Sequence, residues 1–160
     1  HMGVKFAVSL GAEVTLVSTN PAKEADARRL GASGFILATD KEAMKRNRGK
    51  FNVVLNTISA PHRYDHYLSL LALNGTMAIV GIPPSEQPII PFTLLDNRRS
   101  IMGSSIGGMK ETQEMLDYCA EHGIVSDVEV IRIQQINEAW ERMLKGDVRY
   151  RFVIDMASIG

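Results

Sequence analysis

Between Gly11 and Gly108 the sequence alternates short runs rich in β-branched residues with stretches of helical periodicity. This alternation is typical of α/β folds, in which a helix connects each strand to the next parallel strand. The run NVVLN at 52–56 has three consecutive apolar residues, which suits a strand covered on both faces. The pattern therefore predicts a doubly wound parallel sheet, class α/β, with its core around this strand.

Turn and cap residues delimit the other elements. Asn20 and Pro21 are expected to start a helix that stops at Leu30 before Gly31, because Asn caps helices and Pro fits their first turn. The remaining predictions are strands at 12–17, 34–37, 76–81 and 100–105, and helices capped by Asp40, at 62–73 and at 91–97.

The C-terminal part of the chain changes character. Residues 110–121 and 134–145 read as amphipathic helices, since their apolar side chains recur at helical spacing. Residues 127–133 and 150–155 read as strands that are half exposed, or made to pair with something absent. We predict a sheet domain at 1–126 and a separate segment at 127–160.

Charge and composition exclude several function classes. Lys plus Arg and Asp plus Glu number 18 each among 160 residues, so no net field attracts nucleic acid or an anionic membrane. No apolar run approaches the roughly 20 residues of a membrane span, and no signal peptide opens the chain. The single cysteine, Cys119, excludes an internal disulfide and a four-cysteine zinc site. These features predict a cytoplasmic protein.

The first residues lack a feature that dinucleotide-binding sheets carry. Such folds begin with a central strand, followed by a GxGxxG loop that holds pyrophosphate at a helix N-terminus. Here residues 3–10 read as a helix that leads straight into the strand at 12–17, and GxGxxG occurs nowhere. Two explanations stay open at this point: the protein binds no dinucleotide, or the sequence starts just after that loop.

Five segments carry a resemblance to a known family: HMGVKFAVSLGAEVTLVST (1–19), KEADARRLGA (23–32), ETQEMLDYCAEHGI (111–124), INEAWERM (136–143) and DVRYRFVID (147–155). With them the chain resembles the cofactor-binding half of zinc-dependent medium-chain alcohol dehydrogenases, in the cinnamyl-alcohol dehydrogenase branch. In that family HMxVKFA directly follows GxGGxG. The resemblance thus implies a Rossmann-type sheet lacking its first strand and glycine-rich loop. It also implies that both zinc sites lie in an N-terminal catalytic domain, to which residues 127–160 would return.

The end of the first predicted strand holds the most informative polar residues, Ser18, Thr19, Asn20 and Lys23. An NAD site has a carboxylate here, which accepts from the ribose 2′-hydroxyl. Ser18 stands in its place, and hydroxyls with one ammonium suit a 2′-phosphate, so we predict NADP as the cofactor. The alternative is that Thr19 and Asn20 merely cap the helix.

Further cofactor contacts are expected where other strands end, since parallel sheets bind ligands at their carboxyl ends. The candidates are Thr57, Ile58, Val80, Gly81, Ile82, Ser104, Ser105, Ile106 and Arg151. The resemblance implies that the turns at 57–58 and 80–82 line adenosine and nicotinamide, and that 104–106 lie near the carboxamide. Arg151 would reach the pyrophosphate if the tail folds back over the cofactor. Alternatively, Gly81 serves a turn with positive φ, 107–108 form a flexible corner, and Arg151 lies on a solvated strand face.

No metal site or catalytic residue is predicted within the chain. His62 and His66 have a spacing that two metal ligands can use, but no third ligand is evident. Cys119 falls on an apolar helix face and is expected in the core. We expect the chemistry to come from the cofactor and from zinc in the implied catalytic domain.

The sequence leaves three functions open. The leading hypothesis is the cofactor-binding portion of an NADP(H)- and zinc-dependent dehydrogenase that interconverts primary alcohols and aldehydes, inactive by itself. The alternatives are a nucleotide-binding module without activity and a zinc-free reductase of the same superfamily. The strand at 100–105 is an expected sheet edge and homodimer contact. A missing central strand predicts a marginally stable, oligomeric or strand-swapped chain.

Overall fold

A computed structural model describes residues 1–160, and its parallel strands and intervening helices confirm the α/β class. The strands are β1 (Thr15–Ser18), β2 (Gly34–Leu37), β3 (Phe51–Asn56), β4 (Leu71–Ile79), β5 (Ser100–Gly103), β6 (Glu129–Arg132) and β7 (Phe152–Asp155). The helices are α1 (Met2–Ser9), α2 (Lys23–Arg29), α3 (Lys41–Arg46), α4 (Tyr64–Leu68), α5 (Pro91–Leu95), α6 (Met109–His122) and α7 (Ile136–Leu144). None of these helices has the length and apolar character needed to cross a bilayer.

The strands form three separate parallel sheets, in the orders β1-β2, β3-β4-β5 and β6-β7. Strands β1 and β3 are not hydrogen-bonded to each other, so each of them is an edge strand. On β3, Val53 is 65% exposed and Leu55 is 49% exposed. The prediction that this strand is covered on both faces is therefore wrong: Val54 packs into the core, while the opposite face is largely open.

Two hydrophobic clusters hold the fold together. The larger one consists of Tyr64 and Leu68 of α4 with Leu71 and Met77 of β4. The smaller one joins Val4 of α1 to Ala27 of α2 and to Ala32. Buried residues number just 14 of 160, so many large apolar side chains remain in contact with solvent.

The predicted helix at 62–73 is wrong in its second half. Helix α4 ends at Leu68, and Leu71 already pairs with Phe51 at the start of β4. The ladder then shifts register before Val53 meets Thr76, and Asn74 adopts a φ of +59° in this irregular stretch. The apolar run LLAL at 70–73 suits a buried helix or a buried strand equally, so periodicity could not separate the two.

Most other predicted elements are present with shifted ends. The strand at 34–37 matches β2, whereas those at 12–17, 76–81 and 100–105 correspond to 15–18, 71–79 and 100–103. The helix expected at 91–97 ends at Leu95, and residues 96–98 form a 3-10 turn. The elements themselves follow the apolar pattern, while their ends depend on local hydrogen bonding.

The C-terminal segment is organised around Arg142 of α7. Its guanidinium donates to Glu129 at 2.8 Å and to Asp147 at 3.0 Å, and it lies 4.9 Å from the centre of the Phe152 ring. Strands β6 and β7 pair with each other, yet Val130 remains 67% exposed. The prediction of half-exposed strands is thus confirmed, whereas the boundary at 126 stays a prediction.

Asp127 joins this segment to the first two helices. Its carboxylate accepts from Lys5 of α1 at 2.5 Å and from Arg29 of α2 at 2.9 Å. The hydrogen bond from Lys5, followed by that from Arg29, lowers the pKa of Asp127 below its ordinary 3.8. A carboxyl group whose pKa is lower in the folded state stabilises the fold above its ordinary pKa, and this contribution disappears as the pH falls through the folded value.

We expect Asp127→Asn to lower the melting temperature at pH 7, because the amide cannot form either ion pair. The difference from wild type should shrink below about pH 4, where protonation removes the same charge from the wild-type carboxyl. Thermal scans of both proteins between pH 3 and pH 7 measure this. Asp117→Asn is the control, since Asp117 accepts from Gln113 of its own helix. A difference that is independent of pH would contradict the assigned role of the Asp127 charge.

Candidate functional site

The turn after β1 is closed by its own polar side chains. Ser18 Oγ accepts from the backbone N–H of Asn20 at 3.1 Å, and Asn20 Oδ1 accepts from that of Ala22 at 3.0 Å. Helix α2 begins at Lys23 and has no side-chain cap, so the predicted start at Asn20 and Pro21 is wrong. Asn20 closes the turn two residues ahead instead, as Asn side chains commonly do. Thr19, Asn20 and Lys23 are exposed.

The C-terminal tail reaches the start of α1. The Tyr150 ring stacks on the His1 ring with 4.2 Å between their centres, and Arg149 lies 3.5 Å from Asp26 of α2. Arg151 therefore follows residues that lie against α1 and α2, although it is far from both in sequence. The first turn of α1 has neither a side-chain cap nor an acidic residue. An uncapped helix start with cations nearby favours a bound anion.

The start of α1 also lies beside the carboxyl end of β3. A Cβ placed on Gly3 would be 3.1 Å from Leu55 Cδ2, and Leu55 precedes the last residue of that strand. The turns after β1 and β3 therefore flank the same helix start. This is the edge at which parallel sheets bind ligands.

The turns after β3 and β4 are joined by backbone hydrogen bonds. The Asn56 carbonyl accepts from the N–H groups of Val80 and Gly81, at 3.0 and 3.1 Å. Gly81 is buried, and a Cβ on it would lie 2.5 Å from the Ile58 carbonyl oxygen. The alternative of a positive φ at Gly81 is wrong, because its φ is not among the positive ones. Close approach of two backbones is what requires glycine there.

Gly81→Ala is expected to destabilise the fold by about 2 kcal/mol, because the added methyl group must displace the Ile58 backbone. Gly103→Ala is the matched control: it also stands at a strand end, but no atom lies within 4 Å of its added Cβ. Urea unfolding of both variants gives the free energies. Equal stability of the two variants would contradict the close contact at Gly81.

The residues after β5 continue the same edge. Ser104 N–H donates to the Ile79 carbonyl at 3.1 Å, which holds Ser104 next to the end of β4. Ser105 and Ile106 are exposed, and Ile106 is 96% exposed. Thr57 and Val80 are exposed at this edge as well, and Ile82 is 83% exposed. The structure thus brings 57–58, 80–82 and 104 together and leaves their neighbours open to solvent.

The two histidines do not form a metal pair. Both ring nitrogens of His62 are engaged, with Asn56 Nδ2 and with the Ala60 carbonyl, each at 2.8 Å. Nowhere among residues 1–160 do three His, Cys, Asp or Glu side chains come close enough to hold a metal ion. Cys119 is half-buried, with its Sγ 3.6 Å from Met115 Sδ. The hydrogen bond between His62 and Asn56 was not predicted from the sequence. The one feature that could have indicated it is Asn56 itself, a polar residue at the end of an apolar strand.

Parallel strands with helical crossovers and an uncapped helix start at their carboxyl edge are typical of α/β domains of the dinucleotide-binding type. A family model described as zinc-binding dehydrogenase matches residues 1–121, and the chain belongs to that family. The predicted resemblance to medium-chain alcohol dehydrogenases is thereby confirmed.

Curated relatives align over almost the whole chain. The aldehyde reductase YahK of Escherichia coli is 51% identical over 157 residues, which make up 97% of this chain and 45% of the relative. The NADP-dependent alcohol dehydrogenase C of Mycobacterium tuberculosis is 45% identical over 159 residues, 99% of this chain and 46% of the relative. The chain therefore spans less than half the length of the curated relatives it matches.

Solved structures agree with this assignment. A cinnamyl alcohol dehydrogenase from Sorghum bicolor superposes with a TM-score of 0.95 at 38% identity, over 98% of this chain and 45% of that one. The enzyme of the same name from Helicobacter pylori, complexed with NADP(H), gives 0.86 at 34% identity, over 98% of this chain and 44% of that one. The arrangement of strands is thus that of known dehydrogenases.

The zinc in the family's name finds no site in this chain. Residues 1–160 offer no cluster of three His, Cys, Asp or Glu side chains, and zinc in proteins takes three or four such ligands. These residues therefore do not fit the metal.

Proposed function

We propose that this chain is the cofactor-binding portion of an NADP(H)-dependent dehydrogenase that interconverts primary alcohols and aldehydes, and that the chain alone does not turn over substrate. The observation that carries the proposal is that β1 ends in Ser18 rather than in a carboxylate, with Lys23 at the start of α2 and the tail before Arg151 stacked against the start of α1. The names of the relatives support the same cofactor and the same class of reaction.

Ser18 and Lys23 would bind the 2′-phosphate of the adenosine ribose. Ser18 Oγ uses one lone pair to accept from Asn20, so its hydroxyl hydrogen stays free to donate to a phosphate oxygen. The Lys23 ammonium adds a charge-assisted donor, and Thr19 and Asn20 are exposed beside it. An acidic side chain in this turn would repel the phosphate, and the turn has none.

Arg151 and the first turn of α1 would bind the pyrophosphate. Lys5 is less suited to this role, because Asp127 and the Val125 carbonyl already accept from its ammonium group. Arg151 is exposed and forms no side-chain hydrogen bond or ion pair. Its charge is therefore available to a ligand.

Thr57, Ile58, Val80, Gly81, Ile82 and residues 104–106 would line the rest of the dinucleotide, in large part through backbone groups. The bound nicotinamide supplies the hydride chemistry. The chain's own contribution is orientation: the Asn56 carbonyl holds Val80 and Gly81, and the Ile79 carbonyl holds Ser104, so the three turns keep a fixed spacing.

We also propose that one further parallel strand belongs between β1 and β3. Such a strand would have β1 and then β2 on one side, and β3, β4 and β5 on the other. The chain order thus runs outward in both directions from this gap, which is the reversal expected at the centre of a doubly wound sheet. The exposed Val53 and Leu55 of β3 give such a strand an apolar neighbour. A central strand would join the two sheets into one of order β2-β1-new-β3-β4-β5.

Two open surfaces would meet other parts of the protein. Strand β5 ends the sheet, with Met102 53% exposed, and we propose that it pairs with its twin in a homodimer. Trp140 and Leu144 of α7 are 58% and 66% exposed, and this face would contact the catalytic domain to which 127–160 return.

Parallel titrations with NADPH and NADH, followed by cofactor fluorescence, test the proposal. The proteins are this chain and a fusion that places before it the residues preceding the matching segment in the Escherichia coli relative, which we propose to form the missing strand and glycine-rich loop. We expect NADPH to bind more tightly, and adenosine 2′-monophosphate to displace it. Equal binding of both cofactors would overturn the 2′-phosphate site, and no binding by either protein would overturn the cofactor function.

A further inference from the structure

Asn56 is a buried polar residue at the centre of the proposed cofactor edge. It is the last residue of β3 and 4% exposed. Its Oδ1 accepts from the Ile58 N–H at 3.0 Å, and its Nδ2 donates to His62 Nε2 at 2.8 Å and approaches Met77 Sδ at 4.0 Å. Every polar atom of the side chain is thus used, as burial demands.

These contacts determine the state of the His62 ring. Its Nδ1 lies 2.8 Å from the Ala60 carbonyl, which can only accept, so Nδ1 carries a hydrogen. Because Ile58 N–H determines which end of the Asn56 amide is oxygen, the group facing Nε2 is an N–H donor. Nε2 must therefore be an acceptor, and His62 is the neutral imidazole protonated at Nδ1.

His62 is itself held from several sides. Its backbone N–H donates to Gln87 Oε1 at 3.0 Å, and its ring lies 4.9 Å from the Tyr64 ring and 5.6 Å from the Tyr67 ring. Tyr64 and Tyr67 of α4 therefore border the imidazole, while the loop at 82–90 holds the His62 backbone. A ring fixed in this way can in turn fix the Asn56 amide.

We propose that His62 is a positioning residue for the dinucleotide: as the Nδ1-protonated imidazole it holds the Asn56 amide, and Asn56 holds the turns at 57–58 and 80–82. This inference rests on the proposed function, because those turns are its cofactor contacts. The side-chain amide of Asn56 holds Ile58, and its carbonyl holds Val80 and Gly81. Neither His62 nor the Asn56 side chain needs to touch the cofactor.

The first experiment measures the ring directly. Long-range ¹H–¹⁵N spectra of the chain distinguish the two neutral tautomers from the doubly protonated ring, and the His62→Gln variant identifies the His62 signals among the four histidines. We expect the Nδ1–H tautomer. In Asn56→Asp the carboxylate faces Nε2, so the ring should become doubly protonated. A wild-type ring protonated at Nε2, or a ring that is unchanged in Asn56→Asp, would overturn the inference.

The second experiment separates the two hydrogen bonds of the ring. In His62→Gln an amide oxygen can replace the Nε2 acceptor, whereas in His62→Asn an amide N–H can replace the Nδ1 donor and the acceptor is lost. We expect His62→Asn to shift the Ile58 and Gly81 amide signals and to weaken NADPH binding about tenfold, the worth of one hydrogen bond. His62→Gln should recover most of both effects.

Each result has a defined meaning. If the Ile58 and Gly81 amide signals are unchanged in His62→Asn, the contact at Nε2 does not position these turns. Equal losses of NADPH affinity in His62→Asn and His62→Gln would lead to the same conclusion. If the wild-type chain and the fusion bind no NADPH, the proposed function fails, and the ring state and amide signals still decide the role of His62. The amide signals require no ligand, so the two failures are distinguishable.

Discussion

Replacing Ser18 by aspartate is expected to weaken NADPH binding by about 100-fold, or about 2.7 kcal/mol, while NADH binding stays the same or improves. The carboxylate would stand where the 2′-phosphate is proposed to lie, and two anions at that distance repel each other. The same carboxylate can accept from a ribose 2′-hydroxyl, which is how NAD sites recognise their ligand. The turn itself should survive, because an aspartate oxygen can accept from Asn20 N–H as Ser18 Oγ does.

Ser18→Asn is the matched control, since it has the shape of aspartate without the charge. Fluorescence titrations of both variants with both cofactors, in the fusion that carries the added strand and loop, give the four dissociation constants. We expect Ser18→Asn to lower the affinity for NADPH less than tenfold and to leave the affinity for NADH unchanged. Equal losses in the two variants would mean that size and not charge matters at this position. The 2′-phosphate would then have to bind elsewhere.

The sequence predicted the α/β class and most of the strands, because alternating apolar runs report burial directly. It failed where two structures share one pattern. The run LLAL at 70–73 satisfies helical and strand spacing alike, and its start as a strand depends on the pairing of Leu71 with Phe51, 20 positions earlier. The prediction for Asn20 was wrong for a local reason. Its side chain closes a turn two residues ahead, at the position where the sequence suggested a helix cap.

The strand ends that form the candidate site could be predicted from the sequence, but the contacts between its residues could not. Ser18, Val80 and Ser104 follow recognisable strands, so the sheet edge could be listed from sequence. That the tail around Arg151 lies beside the starts of α1 and α2 is a product of the tertiary fold, since Arg151 and Lys23 are 128 positions apart. Likewise, the link from His62 to Asn56 depends on side-chain geometry, which the spacing of His62 and His66 in the sequence does not indicate.

Adding the strand and loop that precede the matching segment in the Escherichia coli relative should raise the melting temperature by about 10 to 20 °C. A strand between β1 and β3 would satisfy the unpaired backbone groups of both and place apolar side chains beside Val53 and Leu55, which reduces their exposure. Burying a large apolar side chain is worth about 1.5–3 kcal/mol, and two or more such side chains with several ladder hydrogen bonds give about 5 kcal/mol. For a domain of this size, 1 kcal/mol corresponds to about 2–4 °C.

The control is the same fusion with proline at the centre of the added strand, which removes a ladder hydrogen bond and is poorly tolerated inside a sheet. Thermal scans give the melting temperatures, and amide hydrogen exchange of Val17 and Val53, whose N–H groups face away from β2 and β4, reports whether both free edges become paired. If the proline fusion is stabilised as much as the unmodified one, or if those amides exchange as fast as before, no strand occupies the gap. If both amides become protected in the unmodified fusion alone, the two sheets form one, and the start of α1 then lies at the point where its strand order reverses.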